Sequence, residues 1–152
     1  MEKTIKNKRY QTDDEVEEII KKVIKDEKLD LDSVRLGSLL VYPNISKTKA
    51  GTCTKTNSVL KFYSDTDYIL QFSGELWDTL TEKTRYILVF HELLHILPVN
   101  NEKKGEIDFK LRDHDLKDFR RIVTKYGFDW IDQITESVKS LYDLDDKHEI
   151  SI

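Results

Sequence analysis

The chain has 152 residues, of which 38% are hydrophobic and 36% are charged, and its formal net charge at pH 7 is −4. This length suits a single domain with a sizeable core, and no apolar run approaches the ~20 residues that a membrane-spanning helix needs. The negative charge does not favour autonomous binding to nucleic acid. The one cysteine, Cys53, excludes an internal disulfide and a zinc finger built from paired cysteines. No apolar stretch follows the polar first residues, so we expect a cytoplasmic protein.

The first half of the chain predicts one helix and then a small sheet. Apolar residues recur at helical spacing behind a capping box formed by Thr12 and Glu15, so we expect a helix that ends near Lys28. Runs rich in β-branched and aromatic residues then predict strands at 34–42, 58–63 and 67–72. The polar stretch 46–56 is expected to form a loop or the arm of a hairpin.

The second half of the chain predicts three helices. The first is capped by Thr79 or Thr81 and runs to about Leu97, where Pro98 stops it. Its part from Ile87 onward is apolar on nearly all sides, which predicts a buried central helix. A loop over 100–110, a helix from Asp113 or His114 to the cap at Gly127, and a last helix over 130–142 complete the chain.

The order of these elements predicts an α+β fold in one domain over residues 1–152. An N-terminal helix precedes a small antiparallel or mixed three-stranded sheet. The central helix packs on that sheet, and two C-terminal helices follow. The terminal segments, 1–11 and 144–152, are expected to be flexible.

The candidate chemistry lies in the central helix, in the segment His91-Glu92-Leu93-Leu94-His95. Residues four apart share one face of a helix, so both histidines can reach one ion, and imidazole suits zinc. Glu92 lies about 100° further round the helix, where it can accept the proton of a water whose pKa the metal lowers. Burying two imidazoles and a carboxylate among leucines is costly without partners. The segment therefore predicts a catalytic site for one Zn²⁺ ion.

A catalytic zinc site has three protein ligands, so a third ligand is expected. The metzincin pattern fails, because Pro98 and Asn101 stand where it has glycine and histidine. The predicted third ligand is His114, at the start of the next helix. Asp115 is expected either to orient a ligand, to serve as one itself, or to be an acid that the helix dipole favours. Tyr86, Tyr126 and Arg112 are further candidates, as donors to a developing oxyanion.

Four parts of the chain can be compared with a known protein family. The first is Val89-Phe90-His91-Glu92-Leu93-Leu94-His95-Ile96, and the second is Leu111-Arg112-Asp113-His114-Asp115 with Phe119. The third is Tyr126-Gly127 with Trp130, and the fourth is Val34-Arg35-Leu36-Gly37. Together they resemble the putative phage metallopeptidase family, a compact group related to SprT-like and other minimal zincins.

The resemblance implies a minimal zincin fold, with zinc held by His91, His95 and His114 and with Glu92 as the general base. It also implies that the edge strand before the active helix lines the substrate cleft and pairs with an extended peptide through its backbone. We expect that strand to consist of Tyr68, Ile69, Leu70, Gln71 and Phe72.

The leading prediction is a zinc endopeptidase of phage or prophage origin that acts on protein or peptide substrates in the host cytoplasm. The alternative is a zinc-binding protein of the same fold that acts without catalysis, by binding a host protein. The Glu92→Gln variant separates the two, because only the first loses its function with that carboxylate.

Overall fold

The computed structural model describes residues 7–101, 106–111, 120–127 and 129–142. The strands are β1 (Arg9–Gln11), β2 (Leu36–Tyr42), β3 (Gly51–Lys55), β4 (Tyr68–Ser73), β5 (Ile96–Asn101) and β6 (Glu106–Leu111). The helices are α1 (Asp14–Asp26), α2 (Ser58–Ser64), α3 (Gly74–Thr79), α4 (Glu82–Leu93), α5 (Arg120–Tyr126) and α6 (Asp129–Tyr142). The predicted α+β class is confirmed. Within the described ranges, no helix has the length and apolar character needed to cross a membrane.

The main sheet has four strands in the order β1-β2-β4-β3, one more than predicted. Strands β2 and β4 run parallel, while β1 pairs with β2 and β3 pairs with β4 in antiparallel fashion. The sheet is therefore mixed. Strand β1 comes from the N-terminal segment that the sequence predicts to be flexible, and β3 comes from the polar stretch that it predicts to be a loop or a hairpin arm.

Strand β4 lies inside this sheet, between β2 and β3. Leu36 to Val41 pair with it on one side, and Gly51 to Lys55 pair with it on the other. The prediction that residues 68–72 form an edge strand is therefore wrong. The backbone groups of β4 already bond to neighbours on both sides, so they are not available to a peptide.

The core lies between the sheet and helix α4. Tyr68, Leu70 and Phe72 alternate along β4 on one face and are at most 1% exposed. On α4, every residue from Ile87 to Leu93 is buried. The predicted buried central helix is confirmed, and the sheet face that it joins is the one that carries these three side chains.

Helix α4 is shorter than predicted. Thr81 caps it by accepting a hydrogen bond from the Thr84 N–H at 3.2 Å, as one of the two predicted caps. The helix ends at Leu93 rather than near Leu97, because the chain turns into β5. Pro98 lies within β5, in a two-stranded sheet where a missing N–H donor is tolerated. Strand β6 likewise occupies residues 106–110 of the segment 100–110 that was predicted to be a loop.

Residues 58–63 were predicted to be a strand and instead form helix α2. The Asn57 side chain caps the helix by accepting from the Leu60 N–H at 2.8 Å. Asp65 ends it in the left-handed conformation, with φ of 55°. These local polar caps outweigh the strand preference of an aromatic and β-branched run.

The C-terminal helices agree with the predictions where they are described. Gly127 has φ of 70°, and its N–H bonds to the Val123 carbonyl at 2.9 Å, which confirms it as the end of a helix. Ile122 of α5 and Ile134 of α6 are fully buried in the core. The predicted start of α5 at residue 113 or 114, and the tail 144–152, lie outside the described residues.

A buried carboxylate joins three of the helices. Glu27, which follows α1, is 5% exposed and accepts hydrogen bonds from Lys125 Nζ at 2.7 and 2.9 Å and from the Tyr86 hydroxyl at 3.2 Å. Arg121 donates to the Glu27 carbonyl. Burial, and then the Glu27 charge, raise the pKa of Tyr86 and of Tyr126, and the hydrogen bond to Glu27 raises the pKa of Lys125. This cluster ties α1, α4 and α5 together.

Replacing Glu27 by Gln is expected to lower the free energy of unfolding at pH 7 by about 2 kcal/mol, since hydrogen bonds to a charged group contribute ~1.5–3 kcal/mol. The parent chain should also lose stability as the pH rises above about 10. Tyr86, Tyr126 and Lys125 all have raised pKa values in the folded state, so the stability that they contribute is complete below their unfolded pKa values and is lost above them.

Urea denaturation of the parent chain and of Glu27→Gln between pH 7 and about 11 measures both effects. The variant should show a weaker alkaline dependence. Glu18→Gln is the matched control, because Glu18 is an exposed residue of α1 that takes no part in the Glu27 cluster. Equal stability of parent and Glu27→Gln at pH 7 would contradict the structural role of the cluster.

Candidate metal centre

Two histidines and a glutamate meet at the C-terminal end of α4. His91, Glu92 and His95 each offer a ligand atom, and these atoms all lie within 4.8 Å of one another. The centroids of the two imidazole rings are 5.2 Å apart, and Glu92 Oε1 lies 3.9 Å from His95 Nε2. The structure therefore brings together the three residues that the five-residue segment predicts.

The end of α4 decides how these side chains are presented. His95 lies in the turn just after the helix, where its N–H bonds to the Glu92 carbonyl at 3.2 Å. This tighter turn still leaves both imidazoles on the same side of the chain. His91 is 0% and Glu92 is 1% exposed, whereas the His95 side chain is 16% exposed. The group is thus closed on its inner side and reaches solvent at His95.

Helix α6 supports the inner histidine. The indole ring of Trp130 lies against the His91 imidazole, with 5.5 Å between the ring centroids. Trp130 is 2% exposed and belongs to the hydrophobic core. Its position beside His91 limits the orientations that this imidazole can adopt.

Strand β3 lies directly against the Glu92 carboxylate. A Cβ atom at Gly51 would stand 3.4 Å from Glu92 Cδ and 3.2 Å from the Phe72 ring. A larger side chain at this position would press on the carboxylate. Sequence reasoning missed this role, since it placed Gly51 in a polar loop. The available signal was a glycine inside a segment that can be a strand, which often marks a close approach.

Cys53 lies two residues further along β3, on the same face as Gly51. Burial, and then the negative charge of Glu92, raise the pKa of the Cys53 thiol to about 12. The thiol is therefore protonated at neutral pH. It is not part of the group of ligand atoms around His91.

The oxyanion candidates do not join the metal group where they are described. The Tyr86 and Tyr126 hydroxyls both lie within hydrogen-bonding distance of Glu27 Oε2, at 3.2 and 3.5 Å. They belong to the Glu27 cluster. Arg112, the predicted third ligand His114, and Asp115 lie outside the described residues.

The donor set fits a transition metal such as zinc. Two imidazole nitrogens and a carboxylate oxygen are donors that zinc accepts. Bonds of about 2.0–2.2 Å to one ion place two donor atoms at most ~4.4 Å apart. A group of ligand atoms within 4.8 Å of one another is close to that spacing.

One comparison with known proteins gave a match. The family model described as "Putative phage metallopeptidase" matches residues 8–143, which is most of the chain. No curated protein and no solved structure matches the chain.

The raised pKa of Cys53 predicts an unreactive thiol. At pH 8, the metal-free native protein should react with iodoacetamide at least ~10-fold more slowly than the same chain unfolded in urea, because the thiolate is the reacting species. Mass spectrometry of timed samples measures the rate. Equal rates in the native and unfolded chain would show that Glu92 and burial do not hold the proton on this sulfur.

Proposed function

The chain belongs to the putative phage metallopeptidase family, and from that premise we propose that it is a zinc-dependent endopeptidase. The observation that carries the proposal is the meeting of His91, Glu92 and His95 at the end of α4, with one side buried and the other open at His95. A buried group of titratable side chains with ligating chemistry is typical of a reaction centre.

We assign His91 and His95 as zinc ligands. His114 is the proposed third ligand, on the strength of its sequence position and of the family resemblance, and Asp115 is proposed to orient a ligand or to serve as one. Trp130 supports this set by packing against the His91 ring.

Glu92 is the proposed general base. When bound, zinc lowers the pKa of a water molecule and polarises the peptide carbonyl. Glu92 accepts the proton of the attacking water and then donates it to the leaving amine. Its carboxylate lies 3.9 Å from Nε2 of His95, the member of the group that is partly exposed, so we propose that the substrate approaches from that side.

The backbone that receives the substrate is proposed to be β3 in place of β4. Strand β3 pairs with β4 on one side and ends the described four-stranded sheet on the other. Gly51 lies against Glu92, so a peptide added to this edge would run past the general base. Strand β6 approaches β3 without joining its sheet.

Replacing Glu92 by Gln should lower kcat by about 10³-fold while bound zinc stays at the parent level, because general acid–base catalysis contributes ~10²–10⁴-fold. Cleavage of a quenched fluorescent peptide library and metal analysis of the same samples measure the two effects. Glu82→Gln is the matched control, since Glu82 is an exposed residue in the first turn of the same helix. Full activity in Glu92→Gln would refute the mechanism, and an unchanged host phenotype would favour the non-catalytic alternative.

Replacing His114 by Ala should reduce the zinc retained per chain after dialysis, because three protein ligands hold a catalytic zinc. His91→Ala serves as the positive control. His148→Ala is the negative control, a histidine of the C-terminal tail. A His114→Ala protein with the parent's zinc content would remove His114 from the ligand set and direct the search to Asp115.

A further inference from the structure

Helix α2 exposes large apolar side chains to solvent. Val59 is 66% exposed, Leu60 41%, Phe62 83% and Tyr63 82%. These four residues, the apolar cluster, account for four of the seven large hydrophobic residues that are exposed within the described part of the chain. None of the seven residues of α2, all of which are described, is buried. A contiguous apolar surface of this kind commonly marks an interaction site.

The cluster has a defined shape. Val59, Phe62 and Tyr63 have the spacing that puts side chains on one face of a helix. The Phe62 and Tyr63 rings meet edge to face, with 5.5 Å between their centroids. Rigid aromatic groups held side by side form a ready contact surface for another apolar group.

Polar bonds hold α2 in place, since apolar burial does not. Asn57 caps its N-terminus at 2.8 Å, and the Ser64 hydroxyl donates to the Leu60 carbonyl at 2.7 Å. The Thr56 hydroxyl donates to the Thr66 carbonyl, also at 2.7 Å, which joins the two chain segments at the base of the helix. The frame is therefore formed before any partner arrives, which reduces the ordering cost of binding.

The charges beside the cluster neutralise one another. Arg35 pairs with Asp65, and Lys61 Nζ lies 2.8 Å from Asp67 Oδ1. Burial acts to raise the pKa of Asp67, but the hydrogen bonds from Lys61 and from the Arg35 N–H, with both positive charges, outweigh it and lower that pKa. The aspartate is ionised at neutral pH. These paired cations do not supply the basic patch that an anionic membrane attracts.

The position of α2 relates it to the metal centre. Strand β3 begins at Gly51, against Glu92, and ends at Lys55, two residues before the cap of α2. Strand residues advance about 3.4 Å each, so the strand spans about 14 Å. A peptide that is paired with β3 would therefore reach the end of the strand about four residues from Glu92, and the cap of α2 follows two chain residues later.

The size of the cluster indicates a transient contact. Phe62 and Tyr63 together offer roughly 300 Å², since a fully buried aromatic side chain hides 150–250 Å². A stable protein–protein interface buries about 800 Å² on each partner. This area suits a short segment better than a lasting dimer.

We propose that the apolar cluster of α2 is an exosite that binds an apolar segment of the polypeptide substrate, about four to six residues from the bond that is cut. The assignment rests on the proposed peptidase function. The exosite would make the peptidase select substrates that carry an apolar segment several residues away from the metal centre. The substrate chain pairs with β3 through its backbone and inserts apolar side chains between Phe62, Tyr63 and Val59.

Two extended fluorescein-labelled peptides test the exosite. They are identical except for a block of three residues about five positions from the centre, which is Leu-Phe-Leu in one peptide and Ser-Asn-Ser in the other. A second pair carries the block on the opposite side, because the orientation along β3 is one of the results. Fluorescence anisotropy measures their binding to the full-length, zinc-loaded Glu92→Gln chain, which leaves the peptides intact.

The apolar peptide of one pair is expected to bind about tenfold more tightly than its polar counterpart, as for an aromatic contact of moderate strength. The double substitution Phe62→Ser and Tyr63→Ser should reduce this preference to near one. Tyr10→Ser should retain this preference, because Tyr10 is a 60% exposed tyrosine of β1 that lies outside the apolar cluster. Val59→Ser gives an independent second variant, and thermal melts monitored by circular dichroism check that each variant is folded.

Equal binding of all four peptides to the Glu92→Gln chain, or a preference that the double substitution leaves intact, overturns the exosite. Self-association in sedimentation velocity, or flotation with vesicles of phosphatidylcholine and phosphatidylglycerol, overturns it too if the double substitution abolishes that behaviour. If the chain with Glu92 intact and zinc bound cuts none of these peptides while Glu92→Gln shows the apolar preference, the proposed function is refuted and the binding surface stays in place. The two failures are therefore distinguishable.

Discussion

Helix α4 is buried along its C-terminal half, and the structure around it is arranged to accept the polar groups that this helix carries into the core. Two imidazoles and a carboxylate cannot lie among apolar side chains without a free-energy cost. Helix α6 and strand β3 each contact one of these polar side chains. Trp130 packs against His91 with its ring plane tilted by 52° and limits the orientations of the imidazole, and Gly51 brings a strand backbone up to Glu92 without a side chain between them. The sheet, α6 and the turn after α4 are therefore all constrained by the same few polar atoms.

The protein buries a second carboxylate on another side of α4, and the contrast between the two explains their separate roles. Glu27 faces an ammonium group and phenolic hydroxyls, which complete its hydrogen bonds and tie α1, α4 and α5 together. Glu92 faces imidazoles, which can bind a metal. The Glu27 cluster anchors α5 to α4 through protein groups alone. The helix α5, which follows the predicted ligand His114 in the chain, is thus anchored by contacts that do not involve the metal group.

The local chemistry was predictable from the sequence, and the spatial order of the strands was not. A run of apolar residues around His91 predicts its burial, because periodicity reports the environment of a helix directly. Which strand lies at the edge depends on pairing between distant segments. The parallel pairing of β2 with β4 places residues 68–72 inside the sheet, and no feature of those residues announces it. The prediction of a strand at residues 58–63 was wrong for another reason. Their strand preference was real, but Asn57 and Asp65 cap a helix there, and short elements follow their caps.

Two features with unusual burial lie at opposite ends of β3. One is a polar group that is buried, and the other is a group of apolar side chains that are exposed. At Gly51 the strand contacts the buried carboxylate of Glu92. Beyond Lys55 the chain continues into α2, whose aromatic side chains are exposed to solvent. Each arrangement costs stability that a sequence selected for folding alone would avoid. Polar bonds at both ends of α2 hold the exposed side chains, while Gly51 and the His95 imidazole lie against the buried carboxylate. Strand β3 thus connects the buried Glu92 carboxylate with an exposed apolar surface. This arrangement suits an extended peptide that pairs with β3, with the proposed reaction at one end and the proposed contact with the apolar cluster at the other.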